Sequence, residues 1–291
     1  SILLLQRHVD FYSLYLISYF SDDENLPMIR RIIMNLQTLP GLFISHGSPM
    51  LAISPEQVGP ALNRLGLNLP KPEAIIVMSA HWESNALEVS TATRPMTWHD
   101  FRGFPEELYE IRYPAPGKTE LAEEILKLLA DAQIPAHANN TRPRDHGVWM
   151  PLLHMYPDAD IPVIEISLPM NMSSDDIYNI GKILAILRER QILLIGSGSI
   201  THNLRELSWS GESSQVPEWA STFRNYVVNK LSHSDFDAVL DWENIPYMER
   251  NHPTIEHFAP LFFAMGAGNR FSIVHSSFTM GALGMDVYRF D

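Results

Sequence analysis

ILLIGSGSITHN, residues 192–203, is an unbroken apolar run that passes through small residues to a histidine, His202. Two more runs have the same build, LFIS (42–45) leading into His46 and AIIVMSA (74–80) leading into His81, and a further run, PVIEISL (162–168), is apolar except for Glu165 and Ser167. Apolar runs of this length without polar alternation are read as strands covered on both faces, the habit of a parallel sheet. The segments between them carry helical spacing. Thr119 caps a run with Leu121, Ala122, Ile125, Leu128 and Leu129 on one face. Ser174, followed by Asp175 and Asp176, opens a second, with Ile177, Ile180, Leu184 and Leu187 facing inward. A third carries Trp219, Phe223, Tyr226, Val227 and Leu231, and a fourth, starting near Pro253 and Thr254, carries Phe258, Leu261, Phe262 and Met265. Strands alternating with helices imply a single α/β domain with a mostly parallel central sheet flanked by helices. The loop over 91–117, with Pro95, Pro105, Pro114 and Pro116, is long enough to suggest a functional role.

The composition narrows the chemistry. The chain has 291 residues and a formal charge of −13, with 45% hydrophobic and 19% charged residues. That is a globular composition with ample core. An acidic chain does not gather nucleic acid by counterion release. The absence of cysteine excludes disulfides, thiolate nucleophiles and iron–sulfur clusters, so any metal is held by His, Asp or Glu. Residues 2–20 are apolar but broken by Gln6, Arg7, His8 and Asp10, too interrupted for a membrane span and without the layout of a secretory signal. Residues 1–33 are therefore expected to be an appendage of unknown role, with the acidic SDDEN (21–25) as a linker, and 34–291 to be the main folded domain. Without a secretion or anchor signal the expected location is the cytoplasm; the oligomeric state is left open.

The twelve histidines become the inventory of interest. In an open α/β sheet, ligands bind beyond the carboxyl ends of the strands. If the apolar runs are parallel neighbours, His46, His81 and His202 emerge on one rim. His257 falls in the first turn of the fourth helix, and His146 lies in the loop Asp145-His146-Gly147. Imidazole is the commonest protein ligand of divalent transition metals, and His46, His81 and His257 read as a metal set. His8, His137, His154, His233, His252 and His275 have no such placement and read as solvated or hydrogen-bonded. Gly47 and Ser48, and Gly196 and Gly198, would let backbone approach a bound group. They form neither a dinucleotide fingerprint nor a phosphate loop. Ser197 and Ser199 near His202 hint weakly at a serine hydrolase, without the nucleophile-elbow motif.

GLFISHGSPM (41–50), IIVMSAHWES (75–84), WHDFRGFPEELY (98–109), RYPAPG (112–117), DHGVWMPLLHMYPDADIPV (145–163), GSGSITHNLRE (196–206) and HPTIEHFAPLFFAMGA (252–267) together resemble the class III extradiol ring-cleaving dioxygenases. The branch they are similar to is the 4,5-DOPA dioxygenase type, related to the catalytic subunit of protocatechuate 4,5-dioxygenase. The resemblance runs from about Leu39 to the C-terminus and leaves 1–33 unmatched. It implies one mononuclear metal, a catechol substrate and O2 as co-substrate, with a muconic semialdehyde-type product. It makes His46, His81 and His257 the metal ligands, His202 an acid–base group or a fourth metal contact, and His146 a substrate-orienting catalytic residue. Fe(II) is the expected ion for activity, with Zn(II) in the isolated protein.

Two departures stand out. Better-known members surround Fe(II) with two histidines and a carboxylate, whereas the third position here reads His257 with Glu256 beside it. Adjacent helical residues point about 100° apart, so one of the two faces the metal, and His257 is the expected one. Arg102 stands in HDFRGFP where the family pattern has glycine; it would either meet a substrate carboxylate or be solvated. Of the aromatic residues near these motifs, Trp82, Trp98, Phe101, Phe104, Tyr109, Tyr113 and Trp149, some would wall a catechol pocket and most would anchor loops. Two other functions fit the same histidines. One is a zinc hydrolase with a metal-activated water. The other is a non-enzymatic relative acting through a protein partner.

Overall fold

The apolar runs occupy the middle of an eight-stranded sheet in the computed structural model, which describes residues 38–208 and 215–291. The strands are β1 (Gly41–Ser45), β2 (Ala74–Ser84), β3 (Leu87–Ser90), β4 (Ala136–Asn139), β5 (Val163–Pro169), β6 (Ile192–Gly198), β7 (Phe271–His275) and β10 (Val287–Phe290), in the order β4-β3-β5-β2-β6-β1-β10-β7. The central four, β5-β2-β6-β1, are mutually parallel. Antiparallel pairing enters where β3 joins β5 and where β10 joins β1 and β7. A short hairpin of β8 (Phe278–Thr279) and β9 (Leu283–Gly284) stands apart. The longer helices are α1 (Val58–Asn68), α2 (Thr119–Asp131), α3 (His146–Met155), α4 (Ser174–Leu184), α5 (Glu218–Ser232) and α6 (Pro260–Ala267). The expected α/β domain with a mostly parallel, helix-flanked sheet is the observed one. The appendage expected over 1–33 lies outside the described residues.

Side chains of one strand alternate between faces, and the core divides accordingly. Ile76, Met78, Ile164, Ile166 and Leu194 pack with α2, α4 and α6 on one face. Ile75, Val77, Val163, Leu193 and Ile195 pack with α1 and α3 on the other. Each central strand is covered twice, which is why its sequence lacks polar alternation.

Helix starts differ from expectation. α2 begins at Thr119, but the capping position is Lys118 and no side chain caps it. α4 is capped by Ser173, whose hydroxyl accepts from the Asp176 N–H while the Asp176 carboxylate accepts in return, a reciprocal box that Ser174 does not take part in. The last helix starts at Pro260, not near 253. Residues 253–259 form turns instead, because the His257 carbonyl accepts from Ser199 N–H (2.8 Å) rather than continuing a helical ladder, and proline at the first helical position is preset for a start at 260. His257 therefore sits in a turn ahead of α6. His81 also differs: β2 continues past it to Ser84, with a register shift against β5 between Met78 and Glu83. Irregularities of that kind re-aim side chains at a sheet's rim.

Two glycines have roles other than ligand approach. Gly47 has φ +64°, left-handed backbone that favours glycine, and Leu51 and Met285 fill the space beside it. Gly198 has no room for a Cβ because the His257 carbonyl lies against it. The close approach serves the chain's own backbone. Gly198→Ala should push the 253–259 turns off β6 and destabilise the fold by about 1–3 kcal/mol, the usual cost of overpacking. Denaturant unfolding checks this, and a wild-type midpoint would contradict it.

Candidate metal centre

Five chain segments meet at the carboxyl end of the parallel strands. His46 follows β1, and its backbone N–H donates to the Gly198 carbonyl (2.9 Å). The tail of β6 receives the His257 turn through Ser199, and His202 N–H donates to the Asn251 carbonyl (2.9 Å). His81 comes from the end of β2, and His146 opens α3, where the Asp145 side chain caps the helix by accepting from Gly147 N–H (2.9 Å). These five imidazoles form one cluster. Ring centroids are 4.9 Å apart for His46–His81, 5.3 Å for His46–His257, 5.0 Å for His81–His257 and 4.2 Å for His81–His146. The ring of His202 stacks on that of His257 at 3.4 Å, 8° from parallel. All five histidines singled out in the sequence thus come together. His154, His252 and His275 instead hydrogen-bond the Leu51 carbonyl, the Ile200 carbonyl and the Ser277 hydroxyl.

Burial sets the protonation. Desolvation, reinforced by the neighbouring imidazoles, holds His46 and His257 well below the ordinary histidine value. Burial and the adjacent His146 lower His81 to about 4 against the opposing pull of Asp145 and Asp100. Burial lowers His202 too, partly offset by Glu256. A neutral imidazole offers one N–H donor and one lone pair, so the partner of one nitrogen decides the use of the other. Ser197 donates its hydroxyl to the Gly147 carbonyl and lies 3.0 Å from His46 Nδ1, which makes that nitrogen the donor. Glu256 Oε1 lies 3.0 Å from His257 Nδ1, with the same consequence. The lone pairs of His46 and His257 are then on Nε2.

One ligand nitrogen from each of His46, His81 and His257 lies within 4.8 Å of the others, and His46 Nε2 is 3.0 Å from His81 Nε2. Two nitrogens bound at about 2.1 Å to one ion stand about 3.0–3.4 Å apart at ordinary bond angles. The donor set fits a single divalent cation. Two further groups of donors share these residues: His81, Asp100 and His146, and His202, Glu256 and His257.

The surrounding shell contains residues to which the sequence reading gave no role. Asp100 Oδ1 accepts from both the backbone N–H and Nδ1 of His146, each at 2.9 Å. Burial pushes the Asp100 carboxyl up, but the contacts with His146 and His81 outweigh it and leave the group below its ordinary value. Asp145 accepts from Ser79 Oγ (2.7 Å) and from Arg142 (3.1 Å), and Arg142 also donates to the His81 carbonyl (2.9 Å). The Arg142 guanidinium lies over Trp82 at 5.1 Å and over Trp98 at 5.0 Å, within cation–π range of both. Asp100 stood in a quoted motif without local features to mark it. Ser197 was read as a possible nucleophile, yet its hydroxyl serves His46. Of the named aromatics, Phe101 sets its ring against His146, with Phe104, Tyr109 and Trp149 packed on Phe101. Tyr113 is buried and donates to the Tyr156 carbonyl. Arg102 is exposed.

Residues 40–290 match the family described as the catalytic LigB subunit of aromatic ring-opening dioxygenase, and the chain belongs to that family. Among curated relatives it is similar to a 4,5-DOPA dioxygenase extradiol of Escherichia coli K12, 38% identical over 246 residues that cover 83% of this chain and 89% of the relative. It is also similar to the 4,5-DOPA dioxygenase extradiol of Beta vulgaris, at 37% identity over 85% of this chain and 95% of the relative. A crystal structure of an uncharacterized Escherichia coli K12 protein superposes with a TM-score of 0.74 at 31% identity, covering 87% of this chain and all of that one.

Removing Arg142 leaves the fully buried Asp145 carboxylate without its paired cation. Arg142→Ala should cost about 3–5 kcal/mol, the range for breaking a buried ion pair from one side. Denaturant unfolding followed by tryptophan fluorescence checks this; a loss under about 1 kcal/mol would contradict it.

Proposed function

We propose that the chain is a metal-dependent extradiol dioxygenase opening a catechol ring of the DOPA type, with His46, His81 and His257 holding one divalent ion. The supporting observation is the convergence of these three side chains, two of them tethered through Nδ1, in a chain whose relatives carry the name of that activity. Bound Fe(II) supplies redox contact between ring and O2 and lowers the pKa of a catechol hydroxyl, whereas Zn(II), which three imidazoles also suit, has no redox chemistry.

The protein's own groups handle orientation and protons. His202 is neutral because it is buried, so it can take a proton from a catechol hydroxyl and return it later. Its parallel stacking on His257 favours this role over that of a fourth ligand. A ligating lone pair lies in the ring plane, and two planes 3.4 Å apart do not converge on one ion. His146 in its neutral form donates from Nδ1 to Asp100, which leaves Nε2 to accept from a substrate hydroxyl. Phe101 supplies an apolar edge beside it. Both atoms of O2 end in the product, a ring-opened semialdehyde carrying a carboxylate. No helix among the described residues is long and apolar enough to cross a membrane, in keeping with a cytoplasmic enzyme.

The test is anaerobic loading with Fe(II), followed by oxygen uptake with DOPA and other catechols. The loaded protein should consume O2 and the zinc form should not. Turnover by the metal-loaded protein without O2 uptake would instead make it a hydrolase. His202→Phe should keep its metal and lose at least about 100-fold in rate, the lower bound for a general base; full activity would refute the assignment. His257→Ala should abolish tight metal binding, while Glu256→Ala should weaken it about tenfold as an outer partner. The reverse ranking would make Glu256 the third ligand.

A further inference from the structure

Asp100 is buried between two of the histidines and uses both of its oxygens. Oδ1 accepts twice from His146, and Oδ2 faces His81 Nδ1 at 3.7 Å, an ion-pair distance too long for a hydrogen bond. His81 Nε2 lies 3.0 Å from His46 Nε2, and the proton of His46 is committed to Ser197 through Nδ1. For His81 to ligate through Nε2 that nitrogen must be bare, so the ring's proton belongs on Nδ1, and Asp100 is the carboxylate that faces it. The other nearby carboxylate, Asp145, is taken up by Ser79, Gly147 and Arg142.

We propose that Asp100 is a positioning residue that selects the tautomers of His81 and His146 together, so that one carboxylate prepares a metal ligand and a substrate-facing acceptor. The inference rests on the metal-site reading above. In Asp100→Asn, the two His146 donors hold the amide oxygen on their side, which turns the amide NH2 toward His81 Nδ1. That donor favours the tautomer with Nε2–H, which cannot ligate. In Asp100→Ala, His81 is left free to choose, but His146 loses its acceptor.

The experiment measures zinc affinity by chelator competition and 4-nitrocatechol binding by absorbance at saturating zinc. It uses the full chain and the variants Asp100→Asn, Asp100→Ala and His46→Ala. Asp100→Asn should weaken zinc about 10–100-fold, as loss of an outer partner does, and keep 4-nitrocatechol affinity. Asp100→Ala should weaken zinc less and 4-nitrocatechol more. This crossed pattern is not the result of a general structural defect, which would lower both affinities in both variants. Zinc affinity within twofold of wild type in Asp100→Asn, or equal losses in both variants, would overturn the role of Asp100. If His46→Ala also binds zinc like wild type, the metal-site reading itself fails; if it loses zinc while Asp100→Asn does not, only the tautomer role fails.

Discussion

Five imidazoles packed ring against ring cannot all be charged, and the architecture around them follows from that restriction. Burial makes the neutral form the stable one for His46, His81, His202 and His257. A neutral ring has a single N–H, so wherever it finds an acceptor the remaining lone pair is fixed in direction. For His46 and His257 the acceptors, Ser197 and Glu256, lie on the outer side of the rings. Basic nitrogens then face the middle of the cluster, and a divalent cation is the partner that satisfies several lone pairs at once.

The end of β6 organises this arrangement. Over a few residues it receives His46 through Gly198, holds the His46 ring through Ser197, and carries the His257 turn on Ser199. It stands between β2 and β1 in the parallel core, so the histidines of three chain segments reach one rim without long side-chain excursions. On the other side, Arg142 binds the His81 carbonyl and Asp145, and Asp145 in turn holds Ser79 and the start of α3. Buried polar groups are costly unless paired. Here the pairing runs continuously from the sheet to the helix that carries His146.

The sheet and the histidines were legible for a simple reason. Strands covered on both faces have a local signature, and so does a histidine at the end of such a strand. Residues whose meaning depends on distant partners were not legible. Asp100 is 46 residues from His146, and nothing in WHDF distinguishes a carboxylate that positions a ring from one that is solvated. Ser197 looked like a nucleophile because a serine near a histidine does; its actual partner is 151 residues away. Gly196 and Gly198 were read as making room for a ligand, but they make room for the Pro260 and His257 carbonyls. The same close packing moved the start of α6 to Pro260 and left His257 in a turn. With His257 in a turn, a helical angle no longer separates it from Glu256, whose carboxylate lies 3.0 Å from His257 Nδ1.

X-ray absorption at the zinc edge of the loaded protein, compared with that of His257→Ala, tests the account most directly. Three imidazole nitrogens in the first coordination sphere of the wild-type protein, and two in the variant, are the predicted result. A wild-type sphere with two imidazoles and a protein carboxylate, unchanged by the loss of His257, would contradict it.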